Sequence, residues 1–454
     1  MKSNESRTYN SAWYYLSLLL KKSLMNIPNS KLPRLVVIGG GFAGVALARK
    51  MVHEEVQLVL LDRQNYHTFQ PLLYQVSTSS LEADSIAYPL RKIVKRGKNT
   101  YFRMTEVTGI DPSNKKIHTE IGSITYDYLV IATGAKTNFF GNENIEAKAM
   151  RMKSLPQALN LRSLMLENLE QAVITTDLEK KKELLNFVIA GAGPTGVELA
   201  GGIAELKNNV LQRDYPDMDF SIMNVHLIEG SDRVLPPMSE KSSAKAHVFL
   251  QKLGVHIHLN TQVTNFENHV VSTNTDLKLK TGTFIWSAGV TGAPLEGLQA
   301  EALIPRANRY KVNQFNQIEG YDTIFALGDI ALMETKEYPR GHPMVAQPAI
   351  QQGNHLVKNL KRLLKGREMQ PFKYLDKGSM ATIGRNKAVV DLGKLRFGGF
   401  FAWFVWMFIH IWFLVGFRNR FVTLFNWVYN YINFDKASRL IIRPFKTKEV
   451  IDRV

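Results

Sequence analysis

Cysteine is absent from the 454 residues of the sequence. This absence excludes structural disulfides, cysteine-ligated zinc and cysteine-ligated iron–sulfur clusters. It also excludes a redox-active protein dithiol, and no metal site is predicted. A chain without cysteine is compatible with a cytoplasmic location, which the absence does not by itself establish.

The N-terminal part of the chain lacks a hydrophobic run of transmembrane length. The mostly apolar stretch from Ser11 to Leu20 is too short to span a bilayer. It also lacks the basic, apolar, small-residue order of a signal peptide. We therefore interpret residues 1–33 as a poorly ordered N-terminal extension, with Met25 as a candidate start.

The composition limits the class of protein but not its function. With 454 residues and 45% apolar content, the chain is expected to form two or three packed domains. Its formal net charge of +17 attracts polyanions, either nucleic acid or an anionic membrane surface.

The first motif follows a short apolar run at residues 35–38, which predicts a buried parallel strand. Gly39, Gly41 and Gly44 come next, in the spacing that permits a tight turn, close approach to a pyrophosphate and close helix packing. A second predicted strand ends at Asp62, eighteen residues after Gly44, as expected for an acid that binds a ribose hydroxyl. These features predict dinucleotide binding, with a purely structural glycine turn as the alternative.

The pattern returns about 150 residues later. Gly191, Gly193 and Gly196 follow a predicted strand, and Glu229 closes the next strand thirty-three residues after Gly196. An acid there would bind the adenosine ribose diol and repel a 2′-phosphate, which favours NADH over NADPH. Arg233 weakens this inference, because an arginine can bind a phosphate.

Three further segments indicate which dinucleotides are bound. Residues 127–134 and 323–329 resemble flavoprotein reductase signatures, and the second of them would place Asp329 at the ribityl chain of FAD. The alternative for Asp329 is a helix N-cap. Residues 285–290 resemble the turn that closes such a domain over nicotinamide, and the alternative is a plain buried strand and turn.

The C-terminal tail is rich in aromatic residues, and residues 397–417 have no charged group unless His410 is protonated. Three interpretations remain open: a spanning helix, a soluble dimer interface, or helices that lie in the membrane surface. Trp403, Trp406 and His410 recur along one helix face. The tail contains a second aromatic segment with basic residues behind it, namely Trp427, Tyr429, Tyr431, Lys436, Arg439 and Arg443. Two aromatic, basic segments favour the surface position.

The motifs together resemble those of type II NADH dehydrogenases, which are single-subunit NADH:quinone oxidoreductases that do not pump protons. The resemblance runs from about Leu35 to Ile442. The motifs that carry it are residues 61–76 (LDRQNYHTFQPLLYQV), 193–201 (GPTGVELAG), 346–353 (AQPAIQQG), 374–384 (YLDKGSMATIG) and 416–420 (GFRNR).

The resemblance implies hydride transfer from NADH to FAD, followed by two-electron transfer to a membrane quinone. Gln347 and Gln351, four residues apart on a predicted helix, would line the quinone site. Glu198 would lie near nicotinamide and quinone and handle protons, and Lys377 would lie near the flavin. The alternatives are surface glutamines, a carboxylate that complements a helix dipole, and a solvated lysine. His67 and Pro71 would border the flavin, or else only pack the loop.

The predicted fold class is α/β, with two Rossmann-like dinucleotide-binding domains and a C-terminal membrane-docking region. The predicted domains are residues 34–147 with 297–380 for FAD, 148–296 for NADH, and 381–454 for membrane anchoring. The residues assigned to FAD are Gly39, Gly41, Phe42, Ala43, Gly44, Asp62, Arg63, His67, Thr133, Gly134, Gly328, Asp329 and Gln347. Those assigned to NADH are Gly191, Gly193, Pro194, Thr195, Gly196, Glu198, Glu229, Ala288 and Gly289.

The expected partners are a quinone, an anionic membrane surface and a second copy of the chain, but not nucleic acid. The expected location is peripheral, on the cytoplasmic face of the inner membrane. The main alternative is a soluble reductase of a ferredoxin- or rubredoxin-type protein, against which the aromatic tail argues. A flavoprotein scaffold for nucleic acid or membrane is less compatible with the glutamine motif. Sulfide:quinone reductases need cysteines, which this chain lacks.

Overall fold

The computed structural model describes residues 25–433 and 438–441, so Lys436 and Arg443 lie outside the described residues. The chain forms two compact units. The first unit contains the described residues up to His67 together with Pro89–Lys136 and Thr291–Leu375. The second unit contains Thr68–Tyr88, Thr137–Val290 and the described residues from Asp376 onward. These boundaries differ from the predicted ones, and the C-terminal region belongs to the second unit.

The strands follow one another along the chain as a series of short elements. In chain order they are β1 (Arg34–Ile38), β2 (Gln57–Asp62), β3 (Tyr66–Thr68), β4 (Ala87–Pro89), β5 (Thr100–Met104), β6 (Val107–Asp111), β7 (Lys116–Thr119), β8 (Gly122–Thr125), β9 (Tyr128–Ile131), β10 (Ala135–Thr137), β11 (Asn186–Ala190), β12 (Asn224–Ile228), β13 (Val255–His258), β14 (Val263–Glu267), β15 (Val270–Thr273), β16 (Lys278–Lys280), β17 (Thr283–Trp286), β18 (Val290–Gly292), β19 (Leu303–Ile304), β20 (Arg309–Lys311), β21 (Ile324–Ala326), β22 (Ala331–Leu332), β23 (Ser379–Thr382), β24 (Ala388–Leu392) and β25 (Leu395–Gly399).

The helices vary from a single turn to twenty residues. In chain order they are α1 (Phe42–Met51), α2 (Leu73–Ser77), α3 (Arg91–Val94), α4 (Glu143–Lys148), α5 (Leu155–Ile174), α6 (Leu178–Leu184), α7 (Pro194–Leu206), α8 (Gln212–Asp214), α9 (Glu240–Lys252), α10 (Ala346–Leu363), α11 (Phe400–Phe413) and α12 (Phe417–Asn433). A π-helical turn at Lys207–Leu211 joins α7 to α8.

The first unit is built on a five-stranded parallel sheet in the order β21-β9-β1-β2-β5. Its strands consist largely of buried, β-branched and aliphatic residues, as expected for a sheet that is covered on both faces. Met25, which the prediction assigned to the poorly ordered extension, is buried in the core of this unit. The side chain of Arg103 donates to the Met25 carbonyl oxygen over 2.6 Å, which holds this segment in place.

The second unit is built on a four-stranded parallel sheet in the order β13-β12-β11-β17. Two antiparallel three-stranded sheets belong to the same unit, β14-β15-β16 and β23-β24-β25. Each parallel sheet has a glycine loop, which follows β1 in the first unit and β11 in the second. The two sheets confirm the predicted α/β class with two Rossmann-like folds.

The C-terminal helices expose one apolar face. Residues 397–399 belong to β25 and α11 ends at Phe413, so the stretch 397–417 is not one continuous helix. Among the described residues, no helix is long and apolar enough to cross a membrane. Trp406 is buried, whereas the outward face of the two helices carries Phe400, Phe401, Phe404, Phe408, Trp412, Phe417, Phe421 and Phe425. The predicted row of Trp403, Trp406 and His410 thus faces mainly inward.

Candidate active site

The first glycine loop joins β1 to α1, and its three glycines differ in what a side chain would meet there. Gly39 has a φ of +106°, and a Cβ there would strike the carbonyl oxygen of Ala132. A Cβ on Gly44 would strike the carbonyl oxygen of Gly39, where α1 passes close to the turn. A Cβ on Gly41 would meet no atom of the described residues within 4 Å. The loop therefore leaves open space at the N-terminus of α1, where a phosphate is favoured.

Asp62, at the end of β2, holds this loop in shape. One of its carboxylate oxygens accepts from the N–H of Gly40 at 2.5 Å, and the other accepts from the N–H of Gln64 at 2.7 Å. Burial raises the pKa of Asp62, and the two backbone hydrogen bonds oppose that rise. Each carboxylate oxygen has a second lone pair, so the carboxylate can also accept from a ribose hydroxyl.

His67 provides a test of whether a ligand fits this unit. Its Nδ1 donates to the carbonyl oxygen of Gly40 at 2.9 Å, and its ring lies edge-on to Phe42 at 5.1 Å. Burial lowers the pKa of His67 to about 4, so the ring is neutral and its Nε2 is an acceptor. This buried Nε2 has no partner among the described residues. An unsatisfied acceptor beside an open phosphate loop fits a bound dinucleotide.

The turn after β21 places Asp329 in the first unit. Gly328 has a φ of +73° and donates its N–H to the side-chain oxygen of Gln352 at 2.7 Å. Helix α10 approaches α1 so closely that a Cβ on Gly353 would lie 2.6 Å from the carbonyl oxygen of Ala43. Sequence reasoning missed Gln352. The small residues beside it on α10 were the available signal that this face is buried.

Gln347 and Gln351 both lie on α10, which confirms the predicted helix. The side-chain amide of Gln351 donates to the carbonyl oxygen of Leu375 at 2.8 Å and accepts from the N–H of Leu375 at 3.0 Å. Gln351 therefore anchors the chain two residues before Lys377. Lys377 itself is exposed.

The other residues assigned to FAD lie in the first unit with varied surroundings. Arg63 is exposed and pairs with Glu106 at 3.6 Å. The hydroxyl of Thr133 donates to the carbonyl oxygen of Ala293 at 2.7 Å. Gly134 has a φ of +71°, and a Cβ on it would meet open space among the described residues. Gly134 thus offers a second cradle beside the one at the first glycine loop.

The second glycine loop joins β11 to α7 with nearly the same geometry. Gly191 has a φ of +97°, and a Cβ there would strike the backbone of Ala288. A Cβ on Gly196 would strike the carbonyl oxygen of Gly191, whereas a Cβ on Gly193 would meet nothing within 4 Å among the described residues. Pro194 occupies the first position of α7, and Thr195 beside it is exposed. The helix N-terminus is therefore open to a phosphate.

Glu229 supports the second loop as Asp62 supports the first. It accepts from the N–H of Ala192 at 2.6 Å and from both the N–H and the hydroxyl of Ser231 at 2.9 Å. The guanidinium of Arg233 donates to the carbonyl oxygen of Pro236 at 3.2 Å and pairs with Glu240 at 3.4 Å. The neighbouring arginine is thus engaged by the protein itself.

The turn after β17 is tightly packed within the second unit. A Cβ on Gly289 would lie 2.8 Å from the ring of Phe140, and the Gly289 carbonyl oxygen accepts from the N–H of Asn138 at 3.1 Å. The indole of Trp286 donates to the carbonyl oxygen of Asn138 at 2.8 Å. These contacts hold Ala288 and Gly289 beside the second glycine loop.

Glu198 is buried in α7, with 8% of its surface exposed. One of its oxygens accepts from the N–H of Thr382 over 3.5 Å. Burial raises the pKa of Glu198 to about 8, and the hydrogen bond from Thr382 opposes this only in part. Glu198 is therefore mostly protonated at neutral pH and can donate a proton.

An aromatic groove lies in the second unit beside Thr382, with about 830 Å³ of empty space that includes open solvent. Its walls include Tyr74, Gln75, Thr382, Trp403, Trp406 and Trp427. Tyr74, Gln75 and Thr382 lie within motifs that carry the family resemblance, but no site role was predicted for them. Tyr74 and Thr382 are 308 residues apart in the sequence, so the sequence gave no sign that they meet.

Comparison with known proteins identifies the family. A model described as pyridine nucleotide-disulphide oxidoreductase matches residues 33–353, and one described as the NDH2 C-terminal domain matches residues 377–433. Type II NADH:quinone oxidoreductase Ndh of Mycobacterium tuberculosis is 37% identical over 414 residues, which cover 88% of each chain. The type II NADH:quinone oxidoreductase of Staphylococcus haemolyticus is 30% identical and covers 78% of this chain and 89% of its own.

Solved structures share the fold. The structure of NDH2 from Plasmodium falciparum in complex with NADH has a TM-score of 0.84 at 22% identity, covering 91% of this chain and 100% of that one. The sulfide:quinone oxidoreductase of Aquifex aeolicus has a TM-score of 0.67 at 18% identity, covering 91% and 96%. The fold alone therefore does not decide the activity. With its N-terminal region and its C-terminal domain both matched, the chain belongs to the type II NADH:quinone oxidoreductase family.

Proposed function

We propose that this chain is an NADH:quinone oxidoreductase that takes hydride from NADH onto FAD and delivers two electrons to a membrane quinone without pumping protons. The match of the NDH2 C-terminal domain to residues 377–433 carries the proposal, because the N-terminal match is common to many reductases. When bound, FAD accepts two electrons as hydride and passes them on. The lack of cysteine agrees, because no protein dithiol competes for these electrons.

We assign FAD to the first unit. The open space above Gly41 would take the pyrophosphate, and Asp62 would bind a ribose hydroxyl while it braces the loop. The unsatisfied Nε2 of His67 would accept from the ligand. Asp329 would bind the ribityl chain. Phe42, Ala43, Arg63, Thr133, Gly134, Gly328 and Gln347 complete the proposed set.

We assign NADH to the second unit. The open space above Gly193 would take its pyrophosphate at the N-terminus of α7. Glu229 would bind the ribose diol and repel a 2′-phosphate, so NADH is favoured over NADPH. Arg233 does not reverse this preference, because Glu240 and Pro236 already engage its guanidinium.

We assign Gln347 of the first unit to quinone binding and Glu198 of the second unit to proton handling, as the family resemblance implies. Gln347 would hydrogen-bond a quinone carbonyl. Gln351 would act as a positioning residue, because its amide is bonded on both sides to Leu375. Lys377 would stabilise negative charge on the reduced cofactor.

The activity is tested with FAD-loaded protein, NADH and a short-chain quinone. We expect quinone-dependent NADH oxidation, a raised quinone KM in Gln347→Ala, and a lowered kcat in Gln351→Ala. Gln314→Ala, which removes an exposed glutamine of the first unit, is the matched control. Electron transfer to a ferredoxin- or rubredoxin-type protein without any transfer to quinone would contradict the proposal.

We propose that the outward face of α11 and α12 docks on an anionic lipid surface at the cytoplasmic side of the inner membrane. The exposed fractions of Phe401, Phe408, Trp412 and Phe417 are 66%, 61%, 65% and 84%, and such an apolar surface is characteristic of a membrane-binding site. The net charge of +17 adds attraction to anionic lipid rather than to nucleic acid.

Docking is tested by sedimentation with phosphatidylglycerol and phosphatidylcholine vesicles. We expect Phe401→Ser with Phe404→Ser and Phe408→Ser to reduce binding at least tenfold. The control is Ile174→Ser with Leu178→Ser, which changes residues that are 80% and 54% exposed elsewhere in the second unit. Equal binding by the two variants would contradict the assignment.

We further propose a homodimer, in keeping with the resemblance to this family. Light scattering of the detergent-solubilised protein checks this, and a monomer mass over the working concentration range would contradict it.

A further inference from the structure

The turn at residues 139–142 of the second unit points two consecutive phenylalanines in opposite directions. Phe139 is 5% exposed and stacks on Trp286 in the core of the unit, with 5.9 Å between the ring centres. Phe140 is 68% exposed. The N–H of Asn142 donates to the carbonyl oxygen of Phe139 at 3.0 Å and closes the turn. A single exposed apolar side chain is ordinary on a protein surface, so exposure alone assigns no role to Phe140.

The backbone of Phe140 is held in a conformation that a bulky side chain disfavours. Its φ is +52°, and the φ of the next residue, Gly141, is +79°. Positive φ values at both central positions are characteristic of a type I′ turn, in which Asn, Asp and Gly are preferred. The side-chain oxygen of Asn138 accepts from the N–H of Phe140 at 2.9 Å and supports this conformation. A bulky residue in this region costs free energy, and such residues cluster at ligand-binding sites.

The exposed ring of Phe140 rests against the turn that follows β17. A Cβ on Gly289 would lie 2.8 Å from the Cζ atom of Phe140, so the ring fills the space that a side chain there would need. The ring also meets Trp286 at an angle of 64°, with 6.4 Å between the ring centres. The residue before Gly289 is Ala288, and a Cβ on Gly191 would lie 2.5 Å from the Cα of Ala288. The ring of Phe140 is therefore fixed beside the residue that packs on the second glycine loop.

The strand order of the parallel sheet indicates which half of a dinucleotide would lie at this turn. The order is β13-β12-β11-β17, and the second glycine loop follows β11. Glu229, which is assigned to the adenosine ribose, follows β12 on one side of that loop. A dinucleotide lies across the carboxyl ends of the strands with its pyrophosphate at the glycine loop. Its nicotinamide half would therefore extend over the other side, at the end of β17, where Phe140 lies.

We propose that Phe140 binds the nicotinamide half of NADH, with the exposed phenyl ring stacked on the flat nicotinamide ring. The role rests on the proposed function, in which the second unit binds NADH. Stacking between planar rings adds attraction beyond the burial of apolar surface. The turn and Gly289 fix the phenyl ring before NADH arrives, so little conformational entropy is lost on binding.

The role of Phe140 is tested by calorimetric titration of the FAD-loaded full chain with NAD⁺ and with ADP-ribose. The two ligands differ only in the nicotinamide, and NAD⁺ does not reduce the flavin. Phe140→Asn removes the ring but keeps a residue that tolerates a positive φ. We expect it to raise the dissociation constant of NAD⁺ about 3- to 10-fold, the range of one aromatic stacking contact, and to leave that of ADP-ribose unchanged. Phe140→Tyr keeps the ring and should bind both ligands as the wild type does.

A second variant displaces the phenyl ring without removing it. Gly289→Ala places a Cβ where the ring of Phe140 now lies, and it should weaken NAD⁺ binding by a similar factor. In the Phe140→Asn background the same change should have little further effect, because no ring is left to displace. His269→Asn is the matched control, since it changes another exposed ring at a positive φ, +61°, in the second unit. It should leave both dissociation constants unchanged.

Two results would overturn the role of Phe140. One is an unchanged affinity for NAD⁺ in Phe140→Asn. The other is an equal loss of affinity for NAD⁺ and ADP-ribose, because a general disturbance of the second unit affects both ligands alike. A wild-type chain that binds neither ligand would instead contradict the proposed function and, with it, this role.

Discussion

The two glycine loops are held in shape by the same kind of hydrogen bonds. In each, an acid at the end of the second strand accepts from the N–H that follows the first glycine, at 2.5 Å for Asp62 and 2.6 Å for Glu229. Each acid also accepts from an N–H two residues further along, in Gln64 and Ser231. The connection to the acid is longer in the second unit, so the geometry of the loop does not depend on that length.

The helices that follow the loops differ. Two residues after the third glycine, the first unit has Ala46 and the second has Glu198. A Cβ on Gly353 would lie 3.1 Å from the Cβ of Ala46, so α10 covers this position in the first unit. In the second unit the same position holds a buried carboxyl beside Thr382. The phosphate loop thus determines nucleotide binding, while this helix position is free to serve packing or chemistry.

The largest effect is expected from substitutions that disrupt one glycine loop at a time. Gly44→Val forces a side chain against the Gly39 carbonyl oxygen, so the purified protein should lack flavin. Gly196→Val does the same in the second unit, and it should keep flavin but lose at least 100-fold in the rate of flavin reduction by NADH. Flavin absorbance and stopped-flow reduction measure the two effects. Loss of flavin in Gly196→Val as well would show that the loops are not independent.

The second prediction concerns the helix position that differs. The carboxyl of Glu198 loses its proton near pH 4.5 when unfolded but near pH 8 when folded, so the unfolded state binds fewer protons between these values. The free energy of unfolding should therefore fall as the pH rises through this window, by about 5 kcal/mol in total.

Glu198→Gln should remove most of this pH dependence, and Glu337→Gln, which changes an exposed carboxyl, should leave it intact. Denaturant unfolding of wild type and both variants at a series of pH values checks the prediction. The same slope in wild type and Glu198→Gln would mean that Glu198 is not protonated in the folded chain.

The third prediction distinguishes the role of Glu229 from the role of Asp62. Glu229→Gln with Glu240→Gln removes the charge that repels a 2′-phosphate and releases Arg233, so the ratio of kcat/KM for NADPH to that for NADH should rise at least tenfold. Asp62→Asn should lower flavin retention without changing this ratio. If Asp62→Asn also changed the ratio, the assignment of one nucleotide to each unit would fail.

The smallest effect is expected at Arg63. Its pair with Glu106 is exposed, so Arg63→Ala should change the free energy of unfolding by less than about 1 kcal/mol. A loss of flavin affinity without a loss of stability would support its proposed contact with FAD. An unchanged flavin dissociation constant would remove Arg63 from that site.

Sequence reasoning predicted the parts of the site that depend on local backbone geometry. Gly39 and Gly191 have positive φ values, and Gly44 and Gly196 have no room for a side chain, so only glycine suits these positions. The helix that carries Gln347 was also predicted, because helix formation likewise depends on residues that are close in the chain. The role of Gln351 was not, because its partner Leu375 is a backbone group 24 residues away.

The C-terminal helices show the limit of periodicity. The spacing of Trp403, Trp406 and His410 predicted one helix face correctly but not its direction. In the structure Trp406 is buried and Phe401 and Phe408 are exposed, because the large indole packs against Trp427 at 5.4 Å. Aromatic residues pack equally well in a protein core and at a lipid surface. Composition therefore could not show which face of the helix is buried and which is exposed.

The sequence by itself determined the family, the two glycine loops and their acids, because each depends on residues that are adjacent in the chain or on a short β-α-β unit. Tertiary structure alone decided that Glu198 is buried and that Tyr74, Thr382, Gln75 and Trp427 join in one hydrogen-bonded path. Tyr74 and Thr382 are 308 residues apart, and Gln75 and Trp427 are 352 apart. Burial and hydrogen bonding over such separations arise from packing, which no local pattern records.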